Sequence, residues 1–247
     1  MPPAATPPPT VSLPANNNSD AFDTVASLHH IPYCGDEAIR WLAAFQEEEV
    51  AAIAKQIFRS LTLFRIHDQE QARAELADSA LRIDRLEAEI ESIPLLLRRW
   101  HHSALAYQHY LDGDLEAAGS SLSSAQQALE AVITRHPFLL PLAIHSIDFR
   151  IQRARMARRE NSWSDVQYHL DVVRRTYRGD HPFCQLPSGP VALGDLRAFY
   201  LSLPAESLEQ MPEKTRFIMD DTYRHDELID RLEEQVFTLP DFVIPYA

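Results

Sequence analysis

The chain has 247 residues, 45% of them apolar, and a formal net charge of −13. A chain of that size buries a sizeable core and fits one large domain with appendages, while its excess of acid opposes a phosphate backbone and so disfavours general nucleic-acid binding. No apolar run approaches the roughly eighteen uncharged residues that a membrane span needs, since even Phe138 to Ile147 is interrupted by Pro141 and His145.

Residues 1–20 hold Pro2, Pro3, Pro7, Pro8, Pro9 and Pro14 and end in the polar run Asn16 to Asp20. Such a segment cannot sustain a helix interior or bury a core, so a disordered tail is expected. It has no basic residue before Arg40 and no continuous apolar stretch, which excludes a secretory signal and makes a cytoplasmic location the expectation. Residues 21–35 are punctuated by Pro32 and Gly35 and form a linker, with Asp36 placed to cap the first helix.

From Asp36 the apolar residues advance at helical spacing. Ile39, Leu42, Val50, Ile53, Ile57, Leu61 and Phe64 predict one long amphipathic helix. After a break at His67-Asp68, Ala72, Leu76, Ala80, Ile83 and Ile90 predict a second, with Pro94 ending it or beginning the next. Leu96, Trp100, Ala104, Tyr107 and Leu111 form a third stripe before Asp112-Gly113-Asp114, a turn with a glycine free to take positive φ and an aspartate free to cap.

The fourth helix carries Leu115, Ala118, Leu122, Ala125, Leu129 and Val132 and stops at His136-Pro137. A fifth carries Leu140, Ile144, Ile147, Ile151 and Ala154. Ser162 then caps a sixth with Val166, Leu170, Val173 and Tyr177. Cys184 to Pro190 is expected to be a loop, followed by helical patterns over Leu193 to Leu203 and Glu213 to Phe237, separated by Pro204 and Pro212. No segment alternates with period two for long, so the fold class is all-α.

The turns fall at 67–68, 113–114 and 161–162, a spacing of roughly 46 and then 48 residues. The helix after each turn opens alike: Asp68, Ala72, Leu76; Asp114, Ala118, Leu122; Ser162, Val166, Leu170. A cap, a small or β-branched residue four later and a leucine four after that suits helices that cross closely in stacked hairpins.

The middle hairpin resembles a tetratricopeptide repeat: Leu105-Ala106 stands where that family has Leu-Gly, Gly113-Asp114 occupies the turn, and Ala118, Leu122 and Ala125 match the small, large, small series of its second helix. His102 and His109 replace the family's Trp and Tyr, and the period exceeds the usual length. The resemblance covers about residues 36–180 and implies an α-solenoid of antiparallel hairpins, with residues 181–247 supplying a loop and C-terminal capping helices. It also implies a groove that binds peptides or protein surfaces.

Little in the sequence points to catalysis. No Glu-x-x-His or His-Glu-x-x-His spacing appears, so a carboxylate-bridged metal bundle lacks its ligands. Cys34 and Cys184 form no Cys-x-x-Cys pair. Ser120, Ser121, Ser123 and Ser124 lie within a helix without a nucleophile elbow, and glycine-rich phosphate loops are absent. No metal or cofactor is expected. His101, His102 and His109 beside Tyr107 and Tyr110 make a titratable aromatic cluster, and His145 with Asp148 and Asp165 with His169 share helix faces.

Arginine is the unusual feature: of 23 cationic residues only Lys55 and Lys214 are lysines, and Arg150, Arg153, Arg155, Arg158, Arg159, Arg174, Arg175 and Arg178 crowd one stretch of an acidic chain. Such a cluster fits a groove for an acidic peptide, a C-terminal carboxylate or a phosphorylated segment, or else pairs internally with the acidic C-terminal residues. The expectation is therefore a protein-interaction scaffold or adaptor, with Arg150, Arg153, Arg158, Arg174, Arg178, Tyr107, His109 and Tyr110 as partner-binding residues. The alternative is an all-α metal-dependent or small-molecule enzyme built around His101, His102, His109, His145 and Asp148.

Overall fold

The computed structural model describes residues 40–202, apart from Leu42 and Glu89, together with Asp230, Glu233, Glu234, Val236 and Phe237. The tail and linker expected over 1–35, the helix start at Asp36 and most of the helix expected over 213–237 lie outside the described residues.

The described chain is helical, with α1 (Glu48–Arg65), α2 (Gln69–Arg85), α3 (Ser92–Asp112), α4 (Leu115–Arg135), a 3₁₀ helix (Pro137–Ile144), α5 (His145–Arg159), α6 (Trp163–Tyr177) and α7 (Leu193–Leu201). Three antiparallel pairs, α1 with α2, α3 with α4 and α5 with α6, pack along their lengths.

The three hairpin turns are built alike. His67, Gly113 and Asn161 take left-handed backbone, with φ of 65°, 82° and 58°. The N–H of the next residue reaches back five positions: Asp68 to the Leu63 carbonyl at 2.9 Å, Asp114 to His109 at 3.0 Å, Ser162 to Ala157 at 2.9 Å. This is a Schellman stop, which satisfies carbonyls left over at the helix end, and the same residue then starts the next helix. Asp68 and Asp114 accept from Gln71 N and Ala117 N, whereas Ser162 turns its hydroxyl to Asp165 Oδ2 at 2.6 Å. Behind each turn the expected small and large residues are buried: Ala72 and Leu76, Ala118 and Leu122, Val166 and Leu170.

Successive pairs meet through their first helices. Phe64 packs edge-on to Tyr107 and Phe58 lies against Trp100, which joins α1 to α3. The α3 to α5 seam is more polar: the Arg99 guanidinium sits 5.6 Å from the Phe149 ring centre, and Arg159 sits 4.6 Å from that of Tyr110.

Three sequence expectations change. The first long helix is broken at Gln46–Glu47, where Glu47 is extended, and α1 begins at Glu48. The break turns Trp41 and Phe45 inward: they stack on each other, Phe45 meets Trp100, and the Trp41 indole N–H donates to Ser92 Oγ at 2.8 Å. The fifth helix is not α-helical at its start. Pro141 has no N–H to donate to the Pro137 carbonyl, and the chain winds as a 3₁₀ helix that buries Leu139 and Leu142 three apart before α5 begins. The expected loop at 184–190 contains a two-stranded hairpin, Cys184–Leu186 paired antiparallel with Gly189–Val191, with Gly189 at φ 124°. Its strands are too short to alternate visibly in sequence. α7 then starts with the Asp195 carboxylate accepting from Ala192 N at 2.7 Å.

Candidate functional site

The arginines of α5 and α6 do not form one surface. Arg150 faces a small cavity of about 30 Å³ shared with Gln126, Thr176 and the β-hairpin residue Cys184. Arg153 lies against an earlier turn of α4, where it donates to Ser123 Oγ at 2.6 Å and the Gly119 carbonyl at 3.4 Å. Burial and the nearby Arg150 lower its pKa from the ordinary guanidinium value. The Ser123 hydroxyl therefore belongs to this contact, while Ser124 bonds the Ser120 carbonyl within α4.

Arg158 and Arg174 converge on the C-terminal residues. Arg174 forms an ion pair with Glu233 in which both side chains are half-buried. Arg158 Nη1 donates to the Phe237 carbonyl at 2.7 Å, and the Phe237 ring lies nearly parallel to Trp163, with centres 6.5 Å apart. Val236 between these contacts is fully buried. The internal pairing with acidic C-terminal residues weighed from sequence is thus seen at Arg174, while Arg158 meets a backbone carbonyl of the same segment. Arg175 and Arg178 are exposed on the last turns of this end.

The aromatic residues expected beside the groove divide likewise. Tyr107 is 2% exposed and belongs to the core; Tyr110 is also buried, beneath Arg159, whose guanidinium donates to the Tyr110 carbonyl. His109 is half-buried near the Arg73 and Asp112 ion pair, where the Arg73 hydrogen bond chiefly holds the Asp112 carboxyl below its usual range.

The burial of two arginines escaped the sequence reading. Arg99 is 3% and Arg155 1% exposed, and the Nε of each lacks a hydrogen-bond partner among the described residues. Arg155 Nη1 donates to Gln152 Oε1 at 3.2 Å. Desolvation pushes both guanidiniums down to about 10, with the Asp148 carboxylate pulling the other way on each. The signal lay in spacing: Arg99 shares a stripe with Ser103, Ala106 and Tyr110, and Arg155 one with Asp148, Gln152 and Arg159, each at helical intervals.

The histidines of the enzyme alternative are dispersed. His101 Nε2 donates to the Leu76 carbonyl of α2 at 3.2 Å, and burial lowers its pKa to about 4. His102 is lowered for the same reason. His145 pairs with Asp148 at 3.1 Å on α5. Asp165 receives Ser162, and the buried Nδ1 of His169 lacks a partner among the described residues. No three His, Cys, Asp or Glu side chains among the described residues stand close enough to hold a metal ion. Burial raises the Cys184 thiol to about 12, which keeps it protonated and unreactive.

A larger cleft of about 720 Å³ lies at the opposite end, lined by Arg40, Glu47, Ile90, Glu91, Arg135 and His136 among others. No helix among the described residues is long and apolar enough to cross a membrane. Comparison with protein-family models, with curated proteins and with solved structures finds no match for this chain.

Proposed function

We propose that the chain is a short tetratricopeptide-like stack of helical hairpins that works as a protein-interaction scaffold or adaptor, and that its basic C-terminal end binds an acidic peptide or protein segment. The stack is supported by the recurring Schellman turn and by contacts that link each first helix to the next, Phe64 to Tyr107 and then Arg99 to Phe149. Each second helix also meets the following first helix, through His101 with Leu76 and Arg153 with Ser123. Pairs that pack successively on one another are the arrangement that generates a superhelical groove.

The observation that carries the functional reading is the crowding of eight arginines into residues 150–178 of a chain whose net charge is −13. Guanidinium forks bind carboxylates and phosphates in two-point geometry, and the α5–α6 end already holds one carboxylate, that of Glu233. The test is affinity capture from the cell of origin with the wild-type chain and with an Arg174→Gln, Arg175→Gln, Arg178→Gln variant. A partner enriched by the wild type, lost by the variant and lost again in about 0.5 M salt is the expected result, since that salt shortens the screening length to about 4 Å. Identical capture by both proteins sinks the arginine surface as the site.

A further inference from the structure

The acidic residues that the α5–α6 end holds are spaced for recognition. Glu233, Val236 and Phe237 stand at i, i+3 and i+4 of a helical segment, so acid, aliphatic and aromatic side chains share one face. Each meets a matching group: Glu233 the Arg174 guanidinium, Val236 the apolar core, Phe237 the Trp163 ring, while Arg158 caps the Phe237 carbonyl. A helix laid by one face against a neighbour, with a cation at its C-terminal carbonyls, is a common way of binding a peptide.

The contact is also built to be exchanged. Trp163 remains 54% and Phe237 45% exposed after they stack, so the aromatic contact is shallow and open at its edge. A partner segment that carried the same pattern and a broader aromatic contact would cover Trp163 surface that the chain's own segment leaves in water.

We propose that Arg158, Trp163 and Arg174 form a docking site for a helical segment of a partner protein with the pattern Glu-x-x-aliphatic-aromatic, and that residues 233–237 occupy this site in cis as a competing pseudo-ligand. The inference rests on the scaffold reading above and names its partner class. Tethering gives the internal segment an effective concentration on the order of millimolar, so a free peptide of the same sequence competes poorly until the internal copy is weakened.

The probe is a fluorescein-labelled synthetic peptide of residues 228–240, followed by anisotropy with the full-length chain. Glu233→Gln with Phe237→Ala in the chain should tighten peptide binding at least about tenfold relative to the wild type, the expected gain when a millimolar internal competitor is removed. Adding Arg174→Gln or Trp163→Ala to the released chain should abolish that gain, and Trp163→Ala, at an exposed position, tests the site without disturbing the core. A released chain that stays folded and binds the peptide no tighter than the wild type overturns the proposal. So does a released chain that loses its cooperative melt, because the segment is then part of the fold. If the proposal fails while arginine-dependent capture persists, the scaffold reading stands with a different ligand; loss of both removes both.

Discussion

Replacing Arg99 with methionine should stabilise the protein. The guanidinium is 3% exposed, its Nε lacks a hydrogen-bond partner among the described residues, and desolvation lowers its pKa from the ordinary guanidinium value to about 10. At about 1.4 kcal/mol per pKa unit, that difference corresponds to about 3 kcal/mol acting against the charged form in the folded state. The folded chain gives up this proton more readily than the unfolded one, so the penalty is present in full below about pH 10 and is relieved only as pH rises above that toward the ordinary guanidinium value. At pH 7 all of it applies. The cation over the Phe149 ring returns about 1 kcal/mol, which the methionine variant would forfeit apart from a sulfur–aromatic contact. The net expectation is a gain of about 1–3 kcal/mol, measured as a higher urea midpoint at unchanged slope. A loss exceeding about 1 kcal/mol would refute this, because the guanidinium would then make interactions stronger than its desolvation.

Three further outcomes are expected. Leu122→Ala, at a position 1% exposed between hairpins, should cost about 2–5 kcal/mol in the same assay, and a loss under about 0.5 kcal/mol would show that the site collapses or lies on the surface. Gly113→Ala should cost about 1–2 kcal/mol, all of it from the backbone at φ 82°, since an added methyl would meet only Arg159 Nη2 at an ordinary 3.7 Å. Acidification should destabilise the protein through His101: its folded pKa of about 4 lies below the ordinary 6.5, so the unfolded chain takes up the proton first and stability falls as pH drops through 6.5 toward 4. This amounts to about 2 kcal/mol between pH 7 and pH 5, and His101→Gln should flatten the dependence of the melting temperature on pH by that amount.

The helix pairs were legible because they obey local rules. A cap, a small residue four later and a leucine after that announced each second helix, and the left-handed residue before the cap is a glycine in one of three turns. His67 and Asn161 serve the same role, and nothing but the recurring spacing marks His67. The break at Gln46–Glu47 was hidden because no glycine or proline marks it; the cause is tertiary, the packing of Phe45 on Trp100 and of Trp41 against Phe138 and Ser92. The 3₁₀ stretch could have been read from Pro141, which removes a donor from within an apolar run. At the candidate site, sequence density revealed the arginines but not their directions. Their crowding in sequence grouped Arg150, Arg153 and Arg158, yet their long side chains end at a cavity beside the hairpin, on α4 and at the C-terminal residues.

The two seams of the stack differ in chemistry, and the difference bears on where a partner can bind. The α1 to α3 seam is aromatic and apolar, with Phe58, Phe64, Trp100 and Tyr107 in contact. The α3 to α5 seam instead buries Arg99 and Arg155 around a shared carboxylate, Asp148, and passes directly along α5 to Arg158 and Arg159. Each buried guanidinium opposes folding, so positive charge here is an expense that an apolar seam would avoid. On the proposed reading its counterpart is electrostatic: residues outside 150–178 carry a formal excess of acid, so an anionic segment would be attracted within about a screening length of the α5–α6 end. On that same proposed reading selectivity for this end would come from the contrast itself, since the same arginines in a neutral chain would draw anions without disfavouring them elsewhere.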